Sequence, residues 1–415
     1  MNEQQSRSLD YWIGVLLCWL LTRVRRVGDW FRRGDQAAAP PRRILFIKLA
    51  EMGAIALSMP AFEAARRRVG IENLFCLMLE TNREMHDLVG FFPTKNLISI
   101  RDKNLVTFAL DVWRLMRRCH REGIDTVIDL EGFARISAVL AYLTGARIRV
   151  GFDRYTCEGL YRGDLFTHRV SLNYYQYASV QFLTLVEAVD EPANADVLLK
   201  QRVDIGDYRL PRFEPTAAER ESIEELLVRR CGGQPGQPLV ILKPNLIDLL
   251  PLRRWSRENF LELGRRILAD TPQATIVLTG LKKERAVSEE LAAEISPTRC
   301  VSLAGDTTIR TLATLFTRAD LLVTSDCGPA HMAAFTDLPI VSIFGPETPQ
   351  LYAPLTPHNV SLWAGLACSP CLTAFNHRRS ACRDNVCMQS ISVDQVYAAA
   401  RGACSALARP ALAAR

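Results

Sequence analysis

Residues 321–331, LLVTSDCGPAH, contain an apolar run, a sharp turn and the start of a helix. The run 321–324 has the length and apolar character of a buried strand, and Pro329 suits the first position of a helix. A helix that begins at the carboxyl end of a parallel strand offers N–H groups to an anion, and Gly328 lets a diphosphate approach the backbone. The stretch therefore predicts an α/β fold with an anion site, with the alternative that Asp326 only caps the helix.

The same strand–turn–helix pattern recurs in two series, one in residues 44–208 and one in residues 239–391. Strands are predicted at 44–49, 74–79, 97–100, 126–130 and 147–151, and then at 239–242, 275–278, 300–303, 321–324 and 340–344. Short apolar runs that alternate with helical periodicity are typical of parallel sheets covered by helices on both faces. We therefore predict two doubly wound, Rossmann-like domains that face each other across a cleft.

Three other segments are assigned from composition. Residues 1–43 are predicted to form an amphipathic, basic segment followed by a linker. Residues 209–238 are predicted to be an interdomain linker, because they contain the Gly- and Pro-rich run CGGQPG. Residues 392–415 are predicted to form a C-terminal helix.

Composition excludes several classes of protein. The 415 residues suit two or three domains at about 150 residues each. Hydrophobic residues make up 48% and charged residues 23%, which excludes a disordered chain. The net charge of 51 − 45 = +6 is too weak for a dedicated nucleic-acid binder. Most of the 12 cysteines are scattered, so we expect a cytoplasmic protein that does not bind nucleic acid.

The amino-terminal segment accounts for most of the net charge. Residues 1–43 hold eight Arg and four acidic residues, and the apolar run 11–22 is twelve residues long. As a helix that run spans about 18 Å, which is too short to cross a hydrocarbon core of about 30 Å. Trp and Phe alternate with Arg over residues 11–33, which indicates peripheral contact with the inner face of the cytoplasmic membrane. The alternative is a helix packed on the protein's own surface or on a partner protomer.

Several charged residues are predicted to lie near the turn after residue 324. Lys243 closes the first strand of the second series, and Arg253 and Arg254 precede the next helix. Cations at this edge of a sheet could neutralise a diphosphate without a metal, although each could also be solvated surface charge. Glu284 could accept ribose hydroxyls or merely belong to the first turn of a helix.

Four cysteines form a cluster with the pattern C-x2-C-x10-C-x4-C, at Cys368, Cys371, Cys382 and Cys387. Their number and spacing suit a tetrahedral thiolate site for structural zinc or iron. Two disulfides in an oxidising compartment, or four unlinked thiols in the cytosol, are the alternatives.

The order of several motifs resembles glycosyltransferase family 9, the bacterial ADP-heptose heptosyltransferases. The resemblance extends over roughly residues 44–391. It is carried by residues 44–53 (ILFIKLAEMG), 125–132 (DTVIDLEG), 149–152 (RVGF), 253–255 (RRW), 325–331 (SDCGPAH) and 344–346 (FGP).

This resemblance implies a GT-B fold and an inverting, metal-independent glycosyltransferase that needs no cofactor for catalysis. The expected reaction moves a sugar, most simply heptose from ADP-heptose, onto a lipopolysaccharide-type or other envelope saccharide or glycolipid. The C-terminal domain would hold the nucleotide sugar, and the N-terminal domain would present the acceptor. The resemblance places a phosphate contact at Arg253, a ribose contact at Glu284, and the diphosphate and sugar at Asp326, Cys327, Gly328, Pro329 and His331. In related autotransporter heptosyltransferases a cysteine cluster holds iron.

One position departs from the family pattern. We expect Gly53 to contact substrate. The family usually has an Asp directly after this glycine, where it acts as the general base, whereas this chain has Ala54. A positioned base contributes about 10²- to 10⁴-fold to the rate. Glu51, in the same turn, is the predicted substitute. Alternative functions are a catalytically impaired binder of nucleotide sugars, a nucleotide-sugar epimerase of the same fold, or a metal-dependent scaffold.

Overall fold

The computed structural model divides the chain into two compact units, Met1–Tyr208 and Arg209–Arg415. The structure describes residues 3–31, 39–49, 51–132, 134–153, 160–246, 251–373 and 380–408. Each unit is built on one parallel sheet. The predicted α/β class is confirmed.

The strands follow the predicted apolar runs closely, and four of them have the predicted bounds. In chain order they are β1 (Ile44–Ile47), β2 (Leu74–Leu79), β3 (Leu97–Ile100), β4 (Thr126–Asp129), β5 (Ile148–Asp153), β6 (His168–Ser171), β7 (Ala195–Val197), β8 (Leu239–Lys243), β9 (Thr275–Leu278), β10 (Cys300–Ser302), β11 (Leu321–Ser325), β12 (Ile340–Phe344) and β13 (Asn359–Trp363).

The helices occupy most of the segments between the strands. They are α1 (Glu3–Phe31), α2 (Met52–Val69), α3 (Arg83–Val89), α4 (Leu105–Glu122), α5 (Arg135–Leu143), α6 (Ala178–Glu187), α7 (Ala217–Cys231), α8 (Arg257–Asp270), α9 (Arg285–Ile295), α10 (Ile309–Arg318), α11 (Gly328–Ala333), α12 (Pro349–Tyr352), α13 (Val386–Gln389), α14 (Val393–Ala403) and α15 (Ser405–Ala408).

The order of the strands reverses once in each sheet. The first sheet has the order β3-β2-β1-β4-β5-β6-β7, and the second has the order β10-β9-β8-β11-β12-β13. The order reverses between β1 and β4 in one unit and between β8 and β11 in the other. At such a switch point the chain leaves two neighbouring strands in opposite directions, which opens a crevice at their carboxyl ends. Ligand sites are therefore expected after β1 and β4 and after β8 and β11.

Burial on both faces explains why the strands are continuously apolar. Every residue of β1, β8 and β11 is buried. Alternate side chains point to opposite faces of a sheet, so a strand covered on both sides needs apolar residues at successive positions. The helices that cover the sheets begin at polar caps, for example α4 at Asn104, α8 at Ser256 and α10 at Thr308.

Helix α1 packs on the first unit along one face. Asp10 Oδ1 accepts hydrogen bonds of 2.9 Å from the N–H groups of Arg135 and Ile136, in the first turn of α5. Toward the other end, Arg25 is buried and donates to Asp164 Oδ1 at 2.6 Å. This face matches the alternative of a helix packed on the protein's own surface. In the described part of the chain, no helix has both the length and the apolar character needed to span a bilayer.

Two predicted segments differ from the structure. Within residues 209–238, predicted as a linker, the structure has the 15-residue helix α7, which belongs to the second unit. Thr216 and Glu219 form a capping box at its start, a signal that outweighs the Gly-rich run after it. The predicted C-terminal helix of residues 392–415 is two helices, α14 and α15, interrupted at Cys404, and residues 409–415 lie outside the described part. Residues 36–38 of the predicted N-terminal linker also lie outside it.

We predict that Gly163→Ala loosens α1 from the first unit. Gly163 has a φ of +68°, and a Cβ there would lie 2.6 Å from Thr22 Oγ1 and 2.7 Å from the carbonyl oxygen of Cys18. A left-handed Ala costs about 1–2 kcal/mol, and overpacking against backbone adds about 1–3 kcal/mol. Urea denaturation should show a loss of about 2–5 kcal/mol in the free energy of unfolding.

Gly123→Ala is the matched control, because Gly123 has a φ of +63° but no atom within 4 Å of a built Cβ. It should lose about 1–2 kcal/mol, the conformational cost alone. Equal losses for the two variants would contradict the packing of α1 described above.

Candidate functional site

The switch point of the second unit brings together the charged residues predicted from sequence. Lys243 ends β8 and is in register with Thr324 of β11. Asp326 follows β11 directly, and its N–H donates to the carbonyl oxygen of Ile343 at 2.9 Å. The parallel register therefore sets a buried ammonium and a buried carboxylate beside the same crevice.

Lys243 is held by Glu284. Its Nζ lies 3.4 Å from Glu284 Oε2, and both side chains are at least nine-tenths buried. The same oxygen accepts a 2.7 Å hydrogen bond from the N–H of Leu281. Glu284 thus fixes the turn after β9 and positions the ammonium. Its predicted role as a ribose contact stays a prediction.

Arg253 points toward the turn after β11. Its Nη1 lies 3.3 Å from Asp326 Oδ2, and its side chain is 18% exposed. Arg254 is half-buried in the same loop. Lys243, Arg253 and Arg254 against Glu284 and Asp326 give this group of five residues a formal charge of +1. The group is therefore compact, cationic and suited to an anionic ligand.

The start of α11 offers fewer N–H donors to an anion than the sequence predicted. Cys327 is the residue before the helix and makes no side-chain cap, while Asp326 pairs with Arg253, so the capping alternative for Asp326 is wrong. Pro329 has no N–H, and the N–H of Ala330 donates to the carbonyl oxygen of Cys327. The side-chain cations, more than the amides near Gly328, therefore supply the positive charge.

The remaining two predicted residues of this turn are buried or half-buried. His331 lies in α11 and is 6% exposed. Burial raises the pKa of the Cys327 thiol, which keeps it protonated at neutral pH. Cys327 Sγ lies 3.2 Å from Thr324 Oγ1. The thiol is therefore suited to packing there and not to acting as a nucleophile.

Sequence reasoning missed the residues that hold residues 251–255, which we call the arginine loop, in place. Asn385 donates through Nδ2 to the carbonyl oxygens of Leu252, at 3.2 Å, and Arg254, at 2.9 Å. Trp255 is buried, and its Nε1 donates to the carbonyl oxygen of Ile391 at 2.8 Å. These bonds span more than 130 positions of the chain, so no local pattern could have revealed them.

The cysteine cluster contacts Gly345 and Pro346, which directly follow β12. The N–H of Cys371 donates to the carbonyl oxygen of Pro346 at 2.9 Å, and a Cβ on Gly345 would lie 3.1 Å from Cys387 Sγ. Burial raises the pKa of Cys387, and the nearby Cys371 thiol and then the two other cluster thiols, Cys368 and Cys382, raise it further. The structure therefore gathers all four thiols, none of which is in a disulfide.

A metal site at the cluster stays a prediction. Four thiols suit zinc or iron in chemical type. Across the described residues, however, no three His, Cys, Asp or Glu side chains are arranged to hold a metal ion. Residues 374–379, between the second and third cysteine, lie outside the described part.

The switch point of the first unit holds a second charged group. Lys48, which follows β1, is 2% exposed, and its Nζ lies 2.9 Å from Glu131 Oε1 and 3.8 Å from Glu51 Oε2. Glu131 follows β4, and its Oε1 also accepts the N–H of Leu49 at 2.7 Å. The ammonium is therefore clamped by one buried carboxylate and faces a second that is one-third exposed.

Glu51 has an unusual backbone conformation. Its φ is 69° and its ψ is 86°, a left-handed conformation that costs a non-glycine residue about 1–3 kcal/mol. Such strain is common at functional sites. Glu51 immediately precedes α2, and Gly53 and Ala54 lie in the first turn of that helix. The turn therefore presents one carboxylate, Glu51, where the sequence lacks the expected Asp.

The chain belongs to glycosyltransferase family 9, the heptosyltransferases, whose family model matches residues 112–380. Lipopolysaccharide heptosyltransferase 2 of Salmonella typhimurium is 30% identical over 153 residues, 36% of this chain. That match spans 43% of the Salmonella protein, less than half of its length. Lipopolysaccharide heptosyltransferase 1 of Pseudomonas aeruginosa is 25% identical over 342 residues, 80% of this chain and 86% of that protein.

The fold is similar to that of a solved family 9 glycosyl transferase from Veillonella parvula. The TM-score is 0.66 at 19% identity, with 88% of this chain and 98% of that chain covered. The predicted GT-B fold class is confirmed by this likeness and by the two parallel sheets.

Proposed function

We propose that the protein is a glycosyltransferase that takes a sugar from a nucleotide diphosphate sugar, most simply heptose from ADP-heptose, to an envelope saccharide such as a lipopolysaccharide-type glycolipid. The observation that carries this proposal is the cationic group at the switch point of the second unit. Lys243 and Arg253 are positioned there by buried partners, and Arg254 lies in the same loop as Arg253, in a chain that belongs to the heptosyltransferase family.

The charges of this group suit a departing nucleoside diphosphate. As the glycosidic bond to the sugar breaks, negative charge develops on the diphosphate, and positioned cations stabilise that charge. The guanidinium of Arg253 can leave Asp326 and bind the diphosphate, because it can donate to two phosphate oxygens at once. Lys243, held by Glu284, adds a fixed point charge. These side chains supply the charge neutralisation without a metal step.

Donor binding tests the proposal. A thermal-shift screen of nucleotide sugars should give its largest stabilisation with ADP-heptose, because a ligand that binds only the folded state raises the melting temperature. Arg253→Ala should weaken donor binding by about 10- to 100-fold, as expected for loss of a hydrogen bond to a charged group. Calorimetry with the variant checks the size of the effect.

Asn385→Ala tests the support of the arginine loop. Asn385 contacts backbone carbonyl groups of that loop, so it acts as a positioning residue, and its loss should raise the donor Kd about 5- to 10-fold. The matched control is Gln234→Ala, an exposed amide of the same unit outside the segment that carries Asn385, which should leave the Kd unchanged. No stabilisation by any nucleotide sugar would overturn the proposed function.

The acceptor hydroxyl requires a base, and Glu51 is our candidate. Its carboxylate is one-third exposed and lies beside a buried ammonium that Glu131 already partners. The exposed third of the Glu51 side chain leaves its carboxylate within reach of an acceptor hydroxyl, whereas Glu131, at 5% exposure, is out of reach. The reaction inverts the sugar's configuration if the acceptor oxygen attacks opposite the departing ADP.

We predict that Glu51→Gln lowers kcat by about 10²- to 10⁴-fold and leaves the donor Kd unchanged, since the amide keeps the shape but takes no proton. Adding Ala54→Asp should restore part of the activity, because a carboxylate in the first turn of α2 is stabilised by the helix dipole. Single-turnover transfer assays measure both effects. Unchanged turnover in Glu51→Gln would remove Glu51 as the base.

We also propose that the cysteine cluster binds structural zinc or iron. Its position supports this role, because Cys371 contacts Pro346 and the segment between Cys382 and Cys387 carries Asn385. A metal there would stiffen the support of the arginine loop and take no part in the reaction.

Protein purified without chelator should contain about one zinc or iron per chain by elemental analysis. Replacing Cys371 and Cys387 by Ser should abolish the metal and lower the melting temperature, whereas Cys231→Ser, outside the cluster, should keep the metal. A metal-free wild-type protein would reject the site.

A further inference from the structure

Exposed apolar side chains are concentrated on two helices. Among the described residues, 18 large apolar side chains are exposed, of which eight lie on α1 and five on α4. Those on α1 are Tyr11, Trp12, Ile13, Leu16, Trp19, Leu20, Val24 and Val27, and those on α4 are Leu105, Val106, Leu110, Trp113 and Met116. Scattered exposed apolar residues are ordinary, but a concentration of this size marks an interaction surface.

The outer face of α4 is apolar although it does not pack against the protein's own core. Leu115 and Cys119 of this helix are buried in the core. Val106, at 70% exposure, and Trp113, at 53%, lie on the opposite side. They recur with Leu110 at helical spacing, so they form a continuous apolar stripe along the solvent side. Helix α4 therefore has two apolar faces, of which the core covers one.

The two helices lie on the same side of the first sheet. Cys18 of α1 and Leu115 of α4 belong to one core cluster, together with Leu45 and Ile47 of β1. Leu45 and Ile47 are two positions apart on a strand and therefore point to the same face of the sheet. The outer faces of α1 and α4 consequently point away from that face together. We call the exposed apolar residues of both helices the two-helix surface.

The charge around the two-helix surface is positive. Between residues 103 and 121 there are five Lys or Arg, namely Lys103, Arg114, Arg117, Arg118 and Arg121, and one acidic residue, Asp111. Asp111 is neutralised by ion pairs of 2.8 Å with Arg101 and Arg114. On α1, Asp10 and Arg25 are used in packing the helix on its own unit, while Arg23 and Arg26 are exposed.

Both helices carry the same aromatic–cation pair. The guanidinium of Arg23 lies 5.2 Å from the ring centre of Trp19, and that of Arg117 lies 4.8 Å from the ring centre of Trp113. Each pair is four residues apart on a helix and open to solvent. An indole ring with an adjacent guanidinium suits the headgroup region of a bilayer, where the ring sits at the acyl boundary and the cation meets lipid phosphate.

We propose that the two-helix surface docks the protein on an anionic phospholipid bilayer, with α1 and α4 lying in the interface. This proposal goes beyond the glycosyl transfer and does not depend on it. A bilayer suits the surface better than a second copy of the chain does. The exposed charges that flank the surface are mainly those of arginines, so a second copy of the same surface would offer them few acidic partners. Anionic headgroups instead add about 1 kcal/mol of attraction per Lys or Arg near the surface.

Vesicle flotation of the full-length protein tests the proposal. We expect the protein to float with vesicles of phosphatidylcholine and phosphatidylglycerol, to bind phosphatidylcholine alone at least tenfold more weakly, and to lose affinity as salt is raised. Replacing Leu110 and Trp113 by Ser should lower the partition coefficient at least tenfold, and so should replacing Trp12 and Trp19 by Ser.

Tyr175→Ser combined with Leu198→Ser is the matched control. These two apolar side chains are exposed in the same unit and belong to neither α1 nor α4, and their replacement should leave flotation unchanged. Circular dichroism and the melting temperature verify that each variant is folded. Donor binding, which the second unit provides, should be unchanged in all of them, so this test and that of the proposed function fail independently.

Three results would overturn the proposal. The first is equal flotation with neutral and anionic vesicles. The second is wild-type flotation by the α4 double variant, which would remove α4 from the surface. The third is a dimer in solution that the same substitutions dissociate while flotation is absent, which would make a second copy the occupant.

Discussion

Buried charges at the carboxyl ends of parallel strands constrain both units, because an ion removed from water must have a partner. Lys243 has Glu284, Lys48 has Glu131, and Arg253 has Asp326. Such pairs add little net stability, but removing one member leaves an uncompensated charge. The pairs therefore fix where each cation lies, so the proposed diphosphate would meet positioned groups in the second unit instead of flexible ones.

A further buried pair shows the same constraint away from the site. Arg162 is 2% exposed and contacts Asp129, at the end of β4, as well as Ser137. Burial raises the pKa of Asp129, while the guanidinium of Arg162 opposes that rise. Because Asp129 Oδ1 also accepts the N–H of Glu131, this pair fixes the turn that presents Glu131 to Lys48. The geometry at the first switch point thus depends on a residue more than thirty positions later.

In the second unit, hydrogen bonds join the arginine loop to a segment that is distant in the sequence. Asn385 donates a hydrogen bond to the carbonyl oxygen of Arg254, and the carbonyl oxygen of Ile391 accepts one from Trp255. Cys382 and Cys387 of the cysteine cluster lie on either side of Asn385 in the chain. The arginine loop and the segment that carries part of the cysteine cluster are therefore coupled through backbone contacts. The first unit is organised differently: α1 is attached by a face that carries Asp10, Cys18 and Arg25, and its exposed face is apolar, so attachment and the proposed docking use opposite sides of one helix.

The sequence by itself determined the strands and the class of fold. Burial on both faces demands unbroken apolar runs, and β2, β3, β9 and β12 have the predicted bounds for that reason. It also determined which charged residues follow the strands, since position along the chain fixes which end of a strand they occupy. Only the tertiary structure decided their partners. Asp326 binds Arg253 instead of capping a helix, residues 217–231 are a helix, and Asn385 supports a loop more than 130 positions away. The physical reason is that pairing depends on strand order and distant contacts, which the local sequence does not encode.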